Sequence, residues 1–197
     1  YKDIEKLEKF MSGKPVAEQE IGHALLQEMV SYAETSISRR KFILHYFGEE
    51  FDNDTGDGGM LDDNMKFPKP KSEAKSDVLN IIKIINQTKE IYKSKDLVDI
   101  LVGKENALIK SHSIRNSSLF SIGNDKPYEY WMALIRQCIV ARYLKKEIET
   151  YGIVKITEMG FKFLNKPVSF MMTKDHHYTG QSVKNNFTKS SNISGDD

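Results

Sequence analysis

One cysteine, Cys138, stands in a chain of 197 residues. A single thiol excludes an internal disulfide and any cysteine-rich zinc cluster, and it fits a reducing compartment. No apolar run approaches the ~18 residues of a membrane span, and no signal peptide opens the chain. There is neither a G-x-x-x-x-G-K-[ST] loop nor a G-x-G-x-x-G, so the sequence carries no standard nucleotide-binding motor. A nucleophile elbow and an H-E-x-x-H are lacking too, and Cys138 falls on an apolar stripe away from any plausible histidine partner. A free-standing hydrolase therefore finds no support. The first residue is Tyr1 rather than Met, so the chain is expected to be a piece of something longer.

What is present is enough for a core: 39% of the residues are hydrophobic, in a length suited to one domain or two small ones. The formal net charge of +1 hides an asymmetry. Residues 1–70 carry 9 basic and 14 acidic side chains, whereas residues 101–174 carry 12 and 6. A basic block beside an acidic one suggests that the basic part meets a polyanion. The plainer alternative is a solvated face with a chance excess of lysine.

The first 50 residues are expected to be helical. Ile21, Ala24, Leu25, Glu28 and Met29 repeat at i, i+3, i+4, i+7, i+8, after a turn marked by Gly13 and Pro15. Phe42, Ile43, Tyr46 and Phe47 form a second stretch that Gly48 stops. Together they predict a helical hairpin over residues 1–65. Residues 51–75 are polar, glycine-rich and then proline-containing, and 66–75 is expected as a linker. From Ser76, a candidate cap, Val78, Ile81, Ile82 and Ile85 predict a helix. Ser94 caps a second, with Leu97, Val98 and Leu101, ended by Gly103. Pro127 opens a third, whose stripe is Trp131, Leu134, Ile135, Cys138 and Ile139. Tyr143 to Thr157 then predicts a β-hairpin turning at Thr150-Tyr151-Gly152, with a further strand at Val168–Met172. Three helices and a hairpin give a winged helix over 76–174. The fold class is thus mainly α with a small β wing. Residues 175–197, rich in Ser, Asn, Thr and Gly, are expected to form a disordered linker.

Two segments resemble a known family. Ser38-Arg39-Arg40-Lys41-Phe42-Ile43-Leu44-His45-Tyr46-Phe47-Gly48-Glu49 is similar to the C-R-R-x-x-L-L-x-Y-F-G-E segment of RecQ-family DNA helicases. Gly123-Asn124-Asp125-Lys126, then Trp131 and Ile135-Arg136-Gln137, resembles that family's G-x-x-K/D…W…x-R-Q-L segment. They stand in the family's order and at about its spacing, and they bracket its RecQ-C-terminal region, a zinc-binding helical hairpin followed by a winged helix. The resemblance implies a fragment of a 3′-to-5′ ATP-dependent DNA helicase of replication, recombination and repair, in the bacterial cytoplasm with the nucleoid. ATP and Mg would belong to motor lobes upstream of Tyr1. Double-stranded or forked DNA and those lobes are the implied partners, with no membrane.

The zinc ligands depart from the family. Its first cysteine falls on Ser38, and its C-G-x-C-x-x-C run, with the glycine kept at Gly56, on Thr55, Gly56, Asp57, Gly58 and Leu61. None is cysteine, so zinc is expected to be lost and the hairpin to stand on apolar packing. Asp52, Asp54, Asp57, Asp62 and Asp63 raise a calcium reading, but their spacing fails the EF-hand pattern, and a flexible acidic loop is the simpler expectation. His176 and His177 are expected to be solvent-exposed.

No catalytic residue is expected. The DNA-binding candidates are Lys104, Asn106, Lys110, Arg115, Lys126 and Tyr151. Gly103-Lys104-Glu105-Asn106 is a candidate phosphate clamp at a helix start. Lys110 and Arg115 lie where the family has basic phosphate contacts, with His112 beside them, and Lys126 precedes the long helix. Arg136 either reaches DNA or pairs with an acid. Tyr151, at the wing tip, either stacks on a terminal base pair or packs on its own hairpin. The alternative for the whole chain is a winged-helix protein–protein interaction module.

Overall fold

The computed structural model describes residues 2–49 and 61–175. α1 (Lys2–Met11) and α2 (Val16–Glu34) are joined through the turn at Gly13 and Pro15, and α3 (Arg39–Tyr46) follows. Ser38 caps α3, its oxygen accepting the Lys41 N–H. Gly48, at φ +78°, lies just past the end of α3, as expected. A short α4 (Asp63–Lys66) leads into β1 (Lys71–Glu73). The expected acidic loop, apart from Asp62 and Asp63, lies outside the described residues, as do Thr55 to Gly58, His176 and His177.

The winged helix is built from α5 (Lys75–Gln87), α6 (Ser94–Val102), a short α7 (Ala107–Ser111), α8 (Tyr128–Val140) and the wing strands β2 (Leu144–Glu147) and β3 (Ile153–Ile156). α9 (Glu158–Asn165) and β4 (Met171–Thr173) complete it. β2 and β3 pair antiparallel, with Leu144 opposite Ile156. The expected strand near Val168–Met172 is β4, and it pairs with β1 rather than with the wing, Lys71 opposite Thr173. Part of the 66–75 segment is thereby tied into the winged helix.

The core follows the predicted stripes. Val78, Ile81, Ile82 and Ile85 of α5, Leu97, Val98 and Leu101 of α6, and Trp131, Leu134, Ile135 and Cys138 of α8 are all buried. Each such side chain contributes about 1.5–3 kcal/mol by leaving water. Two caps differ from expectation. α5 begins at Lys75, not after Ser76, because the Glu73 carboxylate accepts the Lys75 N–H at 2.9 Å. α6 begins at Ser94 itself, and the Asp96 carboxylate reaches back to the Lys93 N–H.

The helical hairpin departs further. Of the stripe expected to be its buried face, Ile21, Leu25 and Met29 are 39%, 41% and 64% exposed. The buried apolar residues of this part are Leu26 and Phe42. The helix faces that meet the winged helix carry charge instead. Arg136, buried in α8, pairs with Glu34 at the end of α2 (2.9 Å) and with Asp175. Asp175 accepts from the Ser36 N–H and hydroxyl, so the chain is still anchored at the first residue of the expected linker.

Candidate nucleic-acid interface

Gly103, at φ +77°, ends α6 in the left-handed conformation and turns the chain sharply. The exposed Lys104 follows, its N–H bound to the Asp99 carbonyl at 2.8 Å. Lys110, on the one-turn α7, and Arg115, in the 3-10 turn Ile114–Asn116, project nearby with side chains 66% and 75% exposed. Glu105 lies between them, 3.8 Å from Lys110 Nζ and 3.2 Å from Arg115 Nη1. Lys110 and Arg115 thus share one carboxylate, and the exposed Lys104 precedes it in the chain, a solvent-facing stretch of three cations suited to phosphates.

Other candidates are engaged within the protein. Asn106 caps α7: its Oδ1 accepts the Ile109 N–H at 2.9 Å, and its Nδ2 donates to Asp96 and Asp99. That cap takes up an N–H on which the expected clamp would have drawn. Lys126 Nζ sits 2.7 and 2.8 Å from the two oxygens of Asp77 and lies over the Tyr130 and Trp131 rings. Tyr130 donates to the same carboxylate at 2.5 Å. Burial and that bond push the Tyr130 phenol well above its ordinary range. His112 Nδ1 lies 3.0 Å from the hydroxyl of the buried Tyr92. Arg136 takes the second of its two anticipated roles, an internal ion pair.

The wing turns where expected. Gly152 N–H donates to Glu147 O (2.8 Å) and Tyr151 N–H to Ile148 O (2.9 Å). The Tyr151 ring is neither free nor covered: the residue is 40% exposed, and Lys93 Nζ lies 5.9 Å from the ring centroid. Lys93 and Lys146, which flank this turn, were not singled out from the sequence. The signal that could have found them is Glu20-x-x-x-Ala24-x-x-x-Glu28, an acidic–small–acidic face on α2.

Around Ser38 an oxygen network ties α3 to the segment before α4. The Ser38 hydroxyl and the Arg39 N–H both donate to Asp62 Oδ2 at 3.1 Å. The other oxygen of Asp62 caps α4 through the Met65 N–H. Asn64 Nδ2 donates to the carbonyls of Thr35 and Ile37. The Arg39 guanidinium forks onto Asp63 at 2.6 and 2.9 Å and holds that carboxyl down at about 2.

The family model of the RQC domain matches residues 68–180, more than half of the chain. The family model described as RecQ zinc-binding matches residues 1–60. The chain belongs to the RecQ family. It is 26% identical over 176 residues to the ATP-dependent DNA helicase RecQ of Pasteurella multocida (strain Pm70), covering 87% of this chain and 27% of that protein. The corresponding protein of Haemophilus influenzae (strain ATCC 51907 / DSM 11121 / KW20 / Rd) is 26% identical over 158 residues, covering 79% and 25%. The chain thus spans about a quarter of the length of the curated relatives it matches.

For a RecQ C-terminal region the family implies zinc, and the donors present do not fit it. Structural zinc takes four tetrahedral ligands, chiefly thiolate and imidazole. Residues 1–60 hold no cysteine. Ser38 presents a neutral hydroxyl already bonded to Asp62, and Leu61 presents only a hydrocarbon chain. Among the described residues no three His, Cys, Asp or Glu side chains gather as a metal site. The second RecQ segment, Arg136-Gln137, serves the fold: Gln137 accepts the Thr173 N–H at 2.9 Å and donates to the Thr173 carbonyl. Among the described residues no helix is long and apolar enough to cross a membrane.

Proposed function

We propose that this chain is the DNA-binding part of a RecQ-type 3′-to-5′ ATP-dependent helicase of replication, recombination and repair, and that it works without zinc. The winged helix holds duplex or forked DNA by its phosphates, with the wing at the junction, and presents it to ATP- and Mg-dependent motor lobes of the same parent chain. The region itself has no chemistry. The exposed cluster of Lys104, Lys110 and Arg115 on a winged helix supports this reading most directly. Asn106 and Lys126 act from behind, holding α7 and the start of α8 in place. The outward stripe of Ile21, Leu25 and Met29 is apolar surface that the motor lobes would cover.

Phosphate binding weakens with salt in proportion to the contacts made. Lys104→Ala and Lys110→Ala should each weaken duplex binding and shallow the salt slope by about one unit. Fluorescence anisotropy across a salt series measures this. Unchanged affinity and slope in both variants would favour a protein–protein interaction module instead.

A further inference from the structure

α2 lays Glu20, Ala24 and Glu28 one turn apart along the wing. Glu20 Oε2 is 2.6 Å from Lys93 Nζ, and Glu28 Oε1 is 2.5 Å from Lys146 Nζ. Between these pairs the helix and the wing turn come close: a Cβ placed on Gly152 would lie 3.9 Å from that of Ala24. Small residues thus let the turn approach, and a carboxylate closes over a lysine on each side of it. Tyr151 sits within this frame, beside Gly152 and under Lys93. Next to the contact is a cavity of about 690 Å³ whose walls include His23 and Glu28 of α2, Met132 of α8 and Lys145 of the wing. Ion pairs beside a void, rather than a packed apolar seam, hold the wing against α2 here.

We propose that Lys93 and Lys146 are DNA phosphate-binding residues that Glu20 and Glu28 occupy in the free chain. The acidic face of α2 is a clasp, which the DNA backbone opens by replacing carboxylate with phosphodiester. The exchange is nearly balanced in charge: Lys93 and Glu20 are each 44% exposed, so solvent already screens that pair, while Lys146 and Glu28 are largely covered and part only as the wing moves off α2. The clasp therefore closes at rest and yields to a polyanion. This inference rests on the reading of the chain as a DNA-binding region, and it adds two contacts at the wing to the three of the α6–α7 cluster.

The test is Glu20→Gln/Glu28→Gln, which keeps size and removes charge. Its affinity for a short blunt-ended duplex should rise, by up to about fivefold from release of the exposed Lys93 pair alone and further as Lys146 is freed. Adding Lys93→Gln/Lys146→Gln should abolish the gain and shallow the salt slope by about two units. A dye pair on Gln27→Cys and Glu149→Cys should lose transfer efficiency when the duplex binds. Equal affinity of wild type and Glu20→Gln/Glu28→Gln, or duplex binding with unchanged transfer, would overturn the clasp alone. A wild type with no salt-sensitive duplex binding would overturn the reading beneath it.

Discussion

Tyr151 stands at φ +59°, with Gly152 at +87° beside it. A left-handed conformation costs a side-chain-bearing residue about 1 kcal/mol, whereas glycine adopts it freely. Tyr151→Gly should therefore raise stability by about 0.5–1 kcal/mol in a urea melt, and Tyr151→Ala should leave it nearly unchanged. In both variants binding to forked or blunt-ended DNA should fall more than binding to a long duplex, which has few ends to stack on. A lower melting temperature without loss of junction preference would instead mean that the ring serves its own hairpin. Lys126 and Lys104 form a contrasting pair at the same scale. Asp77 is largely buried, with 11% of its side chain exposed, and Lys126→Ala would leave its carboxylate with the Tyr130 hydroxyl alone. A loss of about 1–3 kcal/mol in stability is expected, with the salt slope of DNA binding unchanged. Lys104→Ala should do the reverse.

Among the elements, the backbone pairing of β1 with β4 is reinforced by one carboxylate. Glu73 accepts from the Lys75 and Phe170 N–H groups and from the Ser169 hydroxyl, and these bonds hold its carboxyl at about 2, below the ordinary 4.5. Asp63 is held at about 2 by Arg39. With both folded-state values depressed, the stability they contribute is present above the unfolded values of 4.5 and 3.8 and is lost as pH falls toward 2. The melting temperature should drop across that window. Glu73→Gln, which keeps an acceptor oxygen, should flatten the drop. A three-residue exposed strand such as Lys71-Ser72-Glu73 has no alternation to read, so the sequence shows only a linker there. The stripes of α5, α6 and α8 are legible because each buries one face at helical period. The stripe of α2 has the same period but splits: Ile21, Leu25 and Met29 face outward, while Ala24 and Glu28 meet the wing. The cluster of Lys104, Lys110 and Arg115 is legible from local charge. The roles of Lys126 and Arg136 are not, because Asp77 and Glu34 lie 49 and 102 residues away.

Over the whole molecule, apolar burial is concentrated in the winged helix, and the helical hairpin rests on polar links. Arg136 joins α2, α8 and the chain at Asp175, while Asp62, Asp63 and Asn64 fasten α3 where the family has metal. The proposal that this region works without zinc makes a direct prediction. Elemental analysis should find far less than one zinc per chain, and a chelator should leave the melting temperature unchanged. About one zinc per chain, lost on unfolding, would contradict this.

Trp131, the sole tryptophan of the chain, is wholly buried, and its indole N–H donates to the Gly123 carbonyl at 2.9 Å. A Cβ on Gly123 would lie 2.3 Å from the ring, so only glycine lets the backbone pack this closely against the indole. Intrinsic fluorescence therefore reports from the heart of the winged helix, while far-ultraviolet dichroism sums over every helix. Recorded on one denaturation series, the two signals separate loosening of α1–α3 from collapse of the core without any label.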